Sequence, residues 1–424
     1  QLFTVLADAG LTTILMRELA QRPERAPALV GSALALRSAL GLLALAGAAI
    51  AALALPYSPT VRLGVLIAGV PLVLGVLTSA FTAVALADLR GARVAVADVA
   101  GRATALAALA AVVALDLGFY AVIATAGAGA AVTLALAARL ARPLLPAAPR
   151  GDRATARALL VAALPVGAAL ALNEAYFRAD ALIISLSRPY AELGRYALAW
   201  RVSELVSVFP GVLIVSVFPV LSRYMASGDG RLRGALQSAF DVFVVLALGI
   251  AAGGAIVAAE LARTLGGEAF AGAAAPLRVL LCAAALACVN GLLGNALIAR
   301  GAQIGALWLN GAALGLNVAL NVALVPPYGI QAAAWTALGC EVVLLAGTAW
   351  LVRRRLGFVP GPAVLPRALV AALAMAAVLW PLRDAPVVLT VPLGALVFGA
   401  VALATRAVEV PRARPHGGDD PSDE

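Results

Sequence analysis

The feature that most limits the fold of this chain is the recurrence of apolar runs close to 20 residues long. The chain has 424 residues, and 63% of them are hydrophobic. Soluble domains are about 45–50% apolar, whereas a run of about 20 apolar residues is the length of one membrane-spanning helix. The sequence therefore predicts an all-α polytopic membrane protein.

A window of about 20 residues predicts about thirteen hydrophobic segments along the whole chain. The first segment already has the composition of a helix interior at Leu2, so we expect it to be truncated and the fold to lack its first helix. The predicted segments cover residues 1–20, 29–55, 61–87, 93–115, 117–140, 157–186, 196–221, 235–259, 273–299, 302–325, 329–352, 363–382 and 386–406.

The net charge of +9 comes from arginine, since the chain contains no lysine. The arginines concentrate in every second loop, as at residues 139–157, 223–233 and 353–355, rather than on one soluble face. Positive charge in alternate short loops is the signal that places those loops in the cytoplasm. This bias predicts a cytoplasmic C-terminus and argues against a nucleic-acid partner.

A proline- and arginine-rich break between two groups of hydrophobic segments predicts two lobes, with a cleft between them. We expect the tail at the end of the chain to be disordered and cytoplasmic, because it is polar and acidic. The predicted domains are a truncated N-terminal transmembrane lobe at residues 1–140, a cytoplasmic linker at 141–156, a C-terminal transmembrane lobe at 157–355, two extra transmembrane helices at 356–410, and the tail at 411–424.

Several polar residues lie inside the apolar run of residues 159–187. Glu174 and Arg178 are spaced i, i+4 with the acid on the N-terminal side, so they can pair along a helix. Asp180 points to another side, and Asn173 widens the polar face. A charge at the centre of a membrane helix costs about 2.5–3.5 kcal/mol on insertion scales, so such residues generally face partners or a water-filled cavity.

Two further pairs of opposite charge lie within predicted spans. Arg201 and Glu204 are spaced i, i+3, and Asp98 and Arg102 are spaced i, i+4. Each pair alone could be a salt bridge that fixes helix packing. Together they favour a wet central cavity, because intramembrane charges generally face the interior of a bundle. A polar interior indicates transport rather than anchoring.

Isolated polar residues leave more than one interpretation open. Asp8 and Glu341 lie in apolar stretches without a basic residue one helical turn away. Each could be a protonatable coupling group, a buried neutral acid or a partner for another helix. Asn310, Asn317 and Asn321 form one stripe on a predicted helix, for which interhelical hydrogen bonding is the favoured interpretation.

Residues that would indicate an enzyme are missing from the predicted spans. The three cysteines lie in apolar stretches without metal-ligand spacing, and the only histidine, His416, lies in the polar tail. No Gly-rich P-loop occurs. We therefore expect no enzyme, no metal and no cofactor. A membrane-bound glycan polymerase or acyltransferase, which needs a catalytic histidine or carboxylate dyad, is disfavoured.

Three stretches in chain order resemble one superfamily of membrane transporters. They are LADAGL leading to RELA at residues 6–20, YFRAD followed by GRYA and FP within residues 176–219, and NVALN followed by VPPYGI at residues 317–330. These are similar to motifs of the multidrug/oligosaccharidyl-lipid/polysaccharide exporter superfamily, specifically its polysaccharide (O-antigen-type) flippase branch. Ala9 replaces the usual Phe, and Gln331 stands where Gly is common.

The resemblance implies two pseudo-symmetric six-helix lobes around a central cavity, followed by two C-terminal helices. The truncated first segment fits this plan with its first helix missing. The resemblance also implies alternating access. The implied function is a flippase that moves an undecaprenyl-diphosphate-linked oligosaccharide from the cytoplasmic to the outer leaflet of a bacterial inner membrane, for surface polysaccharide biosynthesis.

Guanidinium groups match phosphate oxygens bidentately, so intramembrane arginines are the candidates for contact with a diphosphate. The predicted substrate-binding residues are Arg178, Arg201, Asn173 and Arg102. The residues predicted for coupling or charge pairing are Glu174, Asp180, Glu204, Asp98, Asp8 and Glu341. The expected partners are the lipid-linked oligosaccharide, membrane lipids, a coupling proton or cation, and polysaccharide polymerase machinery.

Two related functions remain as alternatives. A MATE-type drug/cation antiporter needs a carboxylate-rich cavity with few fixed positive charges, and the intramembrane arginines argue against it. A peptidoglycan-precursor (lipid II) flippase is another close relative, which rescue of its essential function would distinguish.

Overall fold

The fold is helical throughout the part of the chain that the structure describes. The computed structural model describes residues 2–8, 10–88, 90–145, 150–227 and 232–407. Within these ranges there is no β-strand, and twelve helices are long and apolar enough to cross a membrane. The predicted all-α membrane fold is confirmed. Contacts divide the chain into a first unit, Gln1–Arg178, and a second unit, Ala179–Glu424.

The helices of the first unit follow the predicted hydrophobic segments from residue 26 onward. The last helix of this unit continues into the second unit. The helices are α1 Leu2–Asp8, α2 Leu11–Gln21, α3 Ala26–Ala54, α4 Pro59–Ala87, α5 Gly91–Ala114, α6 Phe119–Ala141 and α7 Arg153–Ser187.

The first predicted segment, residues 1–20, differs from a single membrane helix. It is broken into α1 and α2, and Gly10 between them has a φ of 75°, in the left-handed region that only glycine adopts at little cost. The carboxylate of Asp8 accepts two hydrogen bonds from Thr12. The Thr12 hydroxyl donates at 2.6 Å, and the Thr12 backbone N–H donates at 3.5 Å. A carboxylate near the start of a helix satisfies donors that have no partner within that helix.

Small residues let the helices of the first unit approach closely. A methyl group added at Gly101 on α5 would lie 2.8 Å from the backbone carbonyl oxygen of Gly129 on α6. The core consists of residues such as Leu11, Leu15 and Ala80, each fully buried. Close packing of this kind is how membrane helices associate when lipid offers no hydrophobic driving force.

The chain before α7 is fixed to the start of α3. Ser32 donates to the carbonyl oxygen of Asp152 at 3.1 Å and accepts from its N–H at 3.0 Å, and Arg150 donates to the carbonyl oxygen of Pro27 at 2.9 Å. Hydrogen bonds from Thr155 hold the pKa of Asp152 below its ordinary value. Residues 146–149 of the predicted linker lie outside the described residues, as does the predicted tail at 411–424.

The second unit is built around one central helix. In the span Glu268–Ala299, 67% of the most apolar 18 residues are buried. The corresponding share in the span Leu232–Gly266 is 33%. The helices are α8 Tyr190–Val206, α9 Val208–Ser227, α10 Leu232–Gly266, α11 Ala274–Ala299, α12 Gln303–Tyr328, α13 Ile330–Leu356, α14 Val364–Leu379 and α15 Val387–Ala404. The buried α11 packs against α10 and α13.

An ion pair fastens the start of α8 to the turn between α12 and α13. Arg188 donates to both carboxylate oxygens of Glu192, at 3.0 and 2.7 Å, and to the carbonyl oxygen of Pro326 at 3.2 Å. These hydrogen bonds raise the pKa of Arg188 above its ordinary value. Gly329 completes the turn with a φ of 69°.

Candidate functional site

The predicted pair on α7 is formed. Arg178 Nε donates to Glu174 Oε1 at 3.0 Å, and the two side chains are 25% and 20% exposed. The i, i+4 spacing brings the groups onto one face of the helix, as the sequence predicted. The side chain of Asn173 lies outside the described part of the chain, so its predicted substrate contact stays a prediction.

Asp180 is buried near the start of the second unit. It is 4% exposed and accepts a very short hydrogen bond from the hydroxyl of Tyr196, which is itself 1% exposed. The N–H of Ala181 donates to its other oxygen at 2.7 Å. Tyr196 was not singled out from the sequence, although its place in the motif GRYA could have pointed to it. The pair joins α7 to α8 inside the second unit.

The predicted pair on α8 is also formed, but in a different setting. Arg201 Nη1 donates to Glu204 Oε2 at 2.8 Å, and the side chains are 61% and 43% exposed. An exposed pair keeps its charged groups accessible to a ligand, which a buried pair does not. Arg201 is therefore the most accessible of the predicted substrate-binding arginines that have an acidic partner.

The Asp98–Arg102 ion pair is not seen among the described side chains of α5, and the predicted roles of the two residues stay predictions. Both side chains are exposed, and no ion pair between them is found among the residues that the structure describes. Asp has one methylene fewer than Glu, so its carboxylate reaches less far along a helix. The favourable spacing therefore does not bring the two groups together here.

Asp8 pairs with another helix, which is one of the three interpretations that the sequence left open. Its Oδ1 lies 3.2 Å from Nη2 of Arg37 on α3, and the same nitrogen donates to the Thr12 hydroxyl at 3.0 Å. Arg37 Nη1 donates to the carbonyl oxygen of Val76 on α4 at 2.9 Å. The guanidinium group of Arg37 on α3 thus contacts three other helices of the first unit, α1, α2 and α4.

Arg37 is fully buried, with 0% of its side chain exposed. Its Nε is buried without a hydrogen-bond partner in the described part of the chain. Sequence reasoning missed this residue. The signal was available, because Arg37 is the one charged residue within the 29 residues of the apolar run Ala26–Ala54.

A second polar cluster lies where α12 packs on α13. Asn321 is fully buried and donates to the backbone and side-chain oxygens of Asn317, at 2.9 and 3.0 Å. On α13, Cys340 donates to the carbonyl oxygen of Ala313 on α12 at 3.9 Å. The Asn321 Oδ1 and Thr336 Oγ1 atoms are buried without a hydrogen-bond partner among the described residues. Asn317 and Asn321 therefore pair along α12, and interhelical hydrogen bonding by the stripe stays a prediction.

Two further predicted residues lie on the same two helices, Asn310 on α12 and Glu341 on α13. Asn310 is exposed and donates to the carbonyl oxygen of Ala306 at 2.8 Å within its own helix. Glu341 is 9% exposed on α13. No group of three or more His, Cys, Asp or Glu residues that could hold a metal ion is found in the described ranges.

A family model described as polysaccharide biosynthesis protein matches residues 1–275, which is more than half of the chain. A search of curated proteins finds no match.

Solved structures of transporters share the fold. The lipid II flippase MurJ in an inward closed conformation matches with a TM-score of 0.77 at 12% identity, covering 96% of this chain and 90% of that one. An inward-facing multidrug resistance MATE family transporter of the MOP superfamily matches with a TM-score of 0.65 at 17% identity, over 84% and 88%. A mutant of the Vibrio cholerae MATE transporter VcmN matches with a TM-score of 0.55 at 16% identity, over 84% of each chain.

Proposed function

Since the chain belongs to the polysaccharide biosynthesis protein family, we propose that it moves an undecaprenyl-diphosphate-linked oligosaccharide from the cytoplasmic to the outer leaflet by alternating access. Surface polysaccharide biosynthesis is the process that would use this product. The fold shared with a lipid II flippase supports the proposal, because it is a fold on which a lipid-linked substrate is moved. Transport requires no covalent chemistry, so we propose no enzymatic activity.

The observation that carries the proposal is a set of arginines in membrane helices, each held by a carboxylate. They are Arg37 with Asp8, Arg178 with Glu174, and Arg201 with Glu204. A neighbouring carboxylate lowers the cost of keeping a guanidinium group in the membrane and fixes its direction. The exposed Arg201 keeps further N–H donors for the oxygens of a diphosphate or an anionic sugar.

We propose that a proton couples to transport at Asp8. The carboxylate is 23% exposed while Arg37, its partner, is fully buried. Protonation of Asp8 would leave the guanidinium of Arg37 without its counter-charge, and the helices that meet there would have to rearrange. A cation is the other coupling species, and the unused oxygen atoms of Asn321 and Thr336 would suit it.

The test in cells replaces Arg178 and measures display of the surface glycan. Arg178→Ala should abolish export while the protein stays in the membrane at its normal level. Arg263→Ala is the matched control, because Arg263 pairs with Glu260 at 3.8 Å at the far end of α10. Normal glycan display by Arg178→Ala would refute the assignment of this arginine.

Two other functions are supported by particular matches. The fold shared with MATE transporters favours a drug/cation antiporter, which would raise drug resistance in an efflux-deficient host. The TM-score of 0.77 with MurJ favours a lipid II flippase, which would rescue cells depleted of that activity. Neither result is expected of a flippase for surface polysaccharide.

We further propose a multi-pass location in a bacterial inner membrane with the C-terminus in the cytoplasm. The arginines that end α13, Arg353 to Arg355, are exposed and lie in a loop that the charge bias assigns to the cytoplasm. Polysaccharide polymerase machinery on the outer side is the proposed downstream partner.

A further inference from the structure

An apolar cavity lies in the second unit. Its volume is about 500 Å³, and it lies among α10, α11, α13 and the start of α14. Its walls include Phe240, Val244, Ala285, Val289 and Ala349. The side chains that line it are apolar, apart from the weakly polar thiol of Cys282. Such walls exclude sugars, phosphates and ions as occupants.

The cavity extends along the helices that line it. Its lining residues extend from Phe240 to Ala251 on α10, from Cys282 to Leu293 on α11, and from Leu338 to Ala349 on α13. Each interval corresponds to about 16 Å along a helix. The length matches one leaflet, since half of the hydrocarbon core is about 15 Å thick.

The cavity lies next to the arginine-rich ends of the helices that form it. Arg354 stacks on Trp350 at 5.3 Å, and tryptophan is enriched at the level of lipid headgroups. Between these charges and the cavity, Gln237 binds the backbone of Gly361 through both of its side-chain polar atoms. The exposed arginines at these helix ends are Arg233, Arg300, Arg353, Arg354, Arg355 and Arg367.

We propose that this cavity holds one acyl chain of an anionic phospholipid from the leaflet on the arginine-rich side. The headgroup would lie against the arginines, and the chain would fill the space between α10, α11 and α13. Each buried methylene contributes about 0.8 kcal/mol, so an apolar slot of this length binds an acyl chain well. A polyprenyl chain fits less well, because its methyl branches widen it. The bound lipid is a resident of the second unit and not the transported substrate.

The test measures lipids retained by the full chain after transfer into nanodiscs of phosphatidylglycerol and phosphatidylethanolamine. Ala349→Phe fills the cavity, and Ala346→Phe adds the same ring to an exposed position three residues away on α13. By native mass spectrometry, Ala349→Phe should retain about tenfold less phosphatidylglycerol, since loss of two methylene contacts suffices for that change. Ala346→Phe should match the wild type. Arg233→Gln with Arg353→Gln should remove the preference for phosphatidylglycerol over phosphatidylethanolamine.

A second measurement keeps the proposal testable if Ala349→Phe does not fold. Cys282 lines the cavity and is half-buried, whereas Cys288 and Cys340 are buried. Phosphatidylglycerol should slow alkylation of Cys282 by a hydrophobic maleimide, with Cys282→Ser giving the background. Equal alkylation with and without the lipid would overturn the proposal, as would equal retention by the two phenylalanine variants. Protection by undecaprenyl phosphate but not by phosphatidylglycerol would overturn the assignment to a phospholipid.

Discussion

The first and second units hold an arginine–carboxylate pair in opposite ways. In the first unit, Arg37 is fully buried and contacts Asp8, Thr12 and a backbone carbonyl oxygen. In the second unit, Arg201 contacts Glu204 on the same helix while more than half of its side chain is exposed. The two arginines are chemically identical, so the difference comes from how many helices meet around them.

This contrast separates structural from ligand-binding charge. Removing one partner of a buried ion pair leaves an uncompensated charge, whereas an exposed pair adds little stability. The Asp8–Arg37 contact should therefore control the stability of the first unit. The Arg201–Glu204 pair should matter for substrate and hardly at all for folding.

The largest expected effect comes from the buried arginine. Arg37→Ala should lower the free energy of unfolding by about 3–5 kcal/mol, because Asp8 loses its counter-charge and three helices lose a common contact. The measurement is unfolding by denaturant in detergent, with Arg201→Ala as the control. Equal destabilisation by the two variants would break the comparison.

The second unit also contains a buried pair without arginine, Asp180 with Tyr196, which can be compared with the exposed pair of Arg201 and Glu204. Tyr196→Phe removes the hydroxyl that donates to the buried Asp180. We expect a loss of about 1–3 kcal/mol, the cost of leaving a buried polar group without its partner. The same unfolding assay measures it. A loss of unfolding free energy smaller than that of Arg201→Ala would show that other contacts supply the hydrogen bonds that Asp180 needs.

The exposed pair should show the reverse balance between stability and transport. Arg201→Ala and Glu204→Ala should each change the free energy of unfolding by at most about 1 kcal/mol. Glycan export should fall strongly with Arg201→Ala and partly with Glu204→Ala, because only the arginine is proposed to contact the diphosphate. Both predictions are checked by measuring glycan export and the free energy of unfolding on the same membrane preparations. A loss of export that merely follows a loss of protein would contradict the assigned role.

The smallest effect concerns a carboxylate outside the membrane. The pKa of Asp152 is lowered in the folded state by hydrogen bonds from Thr155. Its contribution to stability is therefore present in full above the ordinary aspartate pKa of about 3.9, and it is lost as the pH falls through the lowered value. Unfolding midpoints measured from about pH 5 to pH 3 should fall slightly more for the wild type than for Asp152→Asn. Parallel curves for the two proteins would show that the lowered pKa of Asp152 does not contribute to stability.

The sequence predicted the parts of this molecule that depend on local pattern. Apolar runs gave the membrane helices, and i, i+4 or i, i+3 spacing gave the pairs of Arg178 and Arg201. Arg37 and Asp8 were not joined, because they are 29 positions apart and meet only after α1, α3 and α4 pack. Spacing alone was also insufficient at Asp98, where the favourable interval forms no ion pair in the described part of the chain. The break at Gly10 depends on a left-handed backbone conformation, which cannot be predicted from the apolar pattern around it.

The most direct test of the central claim is movement of a diphosphate-linked oligosaccharide between leaflets in proteoliposomes. Wild type is compared with Arg178→Ala and with the charge-swapped variant Glu174→Arg with Arg178→Glu, which keeps an ion pair along α7. If the arginine holds the anionic headgroup, both variants should lose movement by about tenfold or more, the effect of one charge-assisted contact. Movement by Arg178→Ala at the wild-type rate, or full rescue by the charge swap, would contradict the claim.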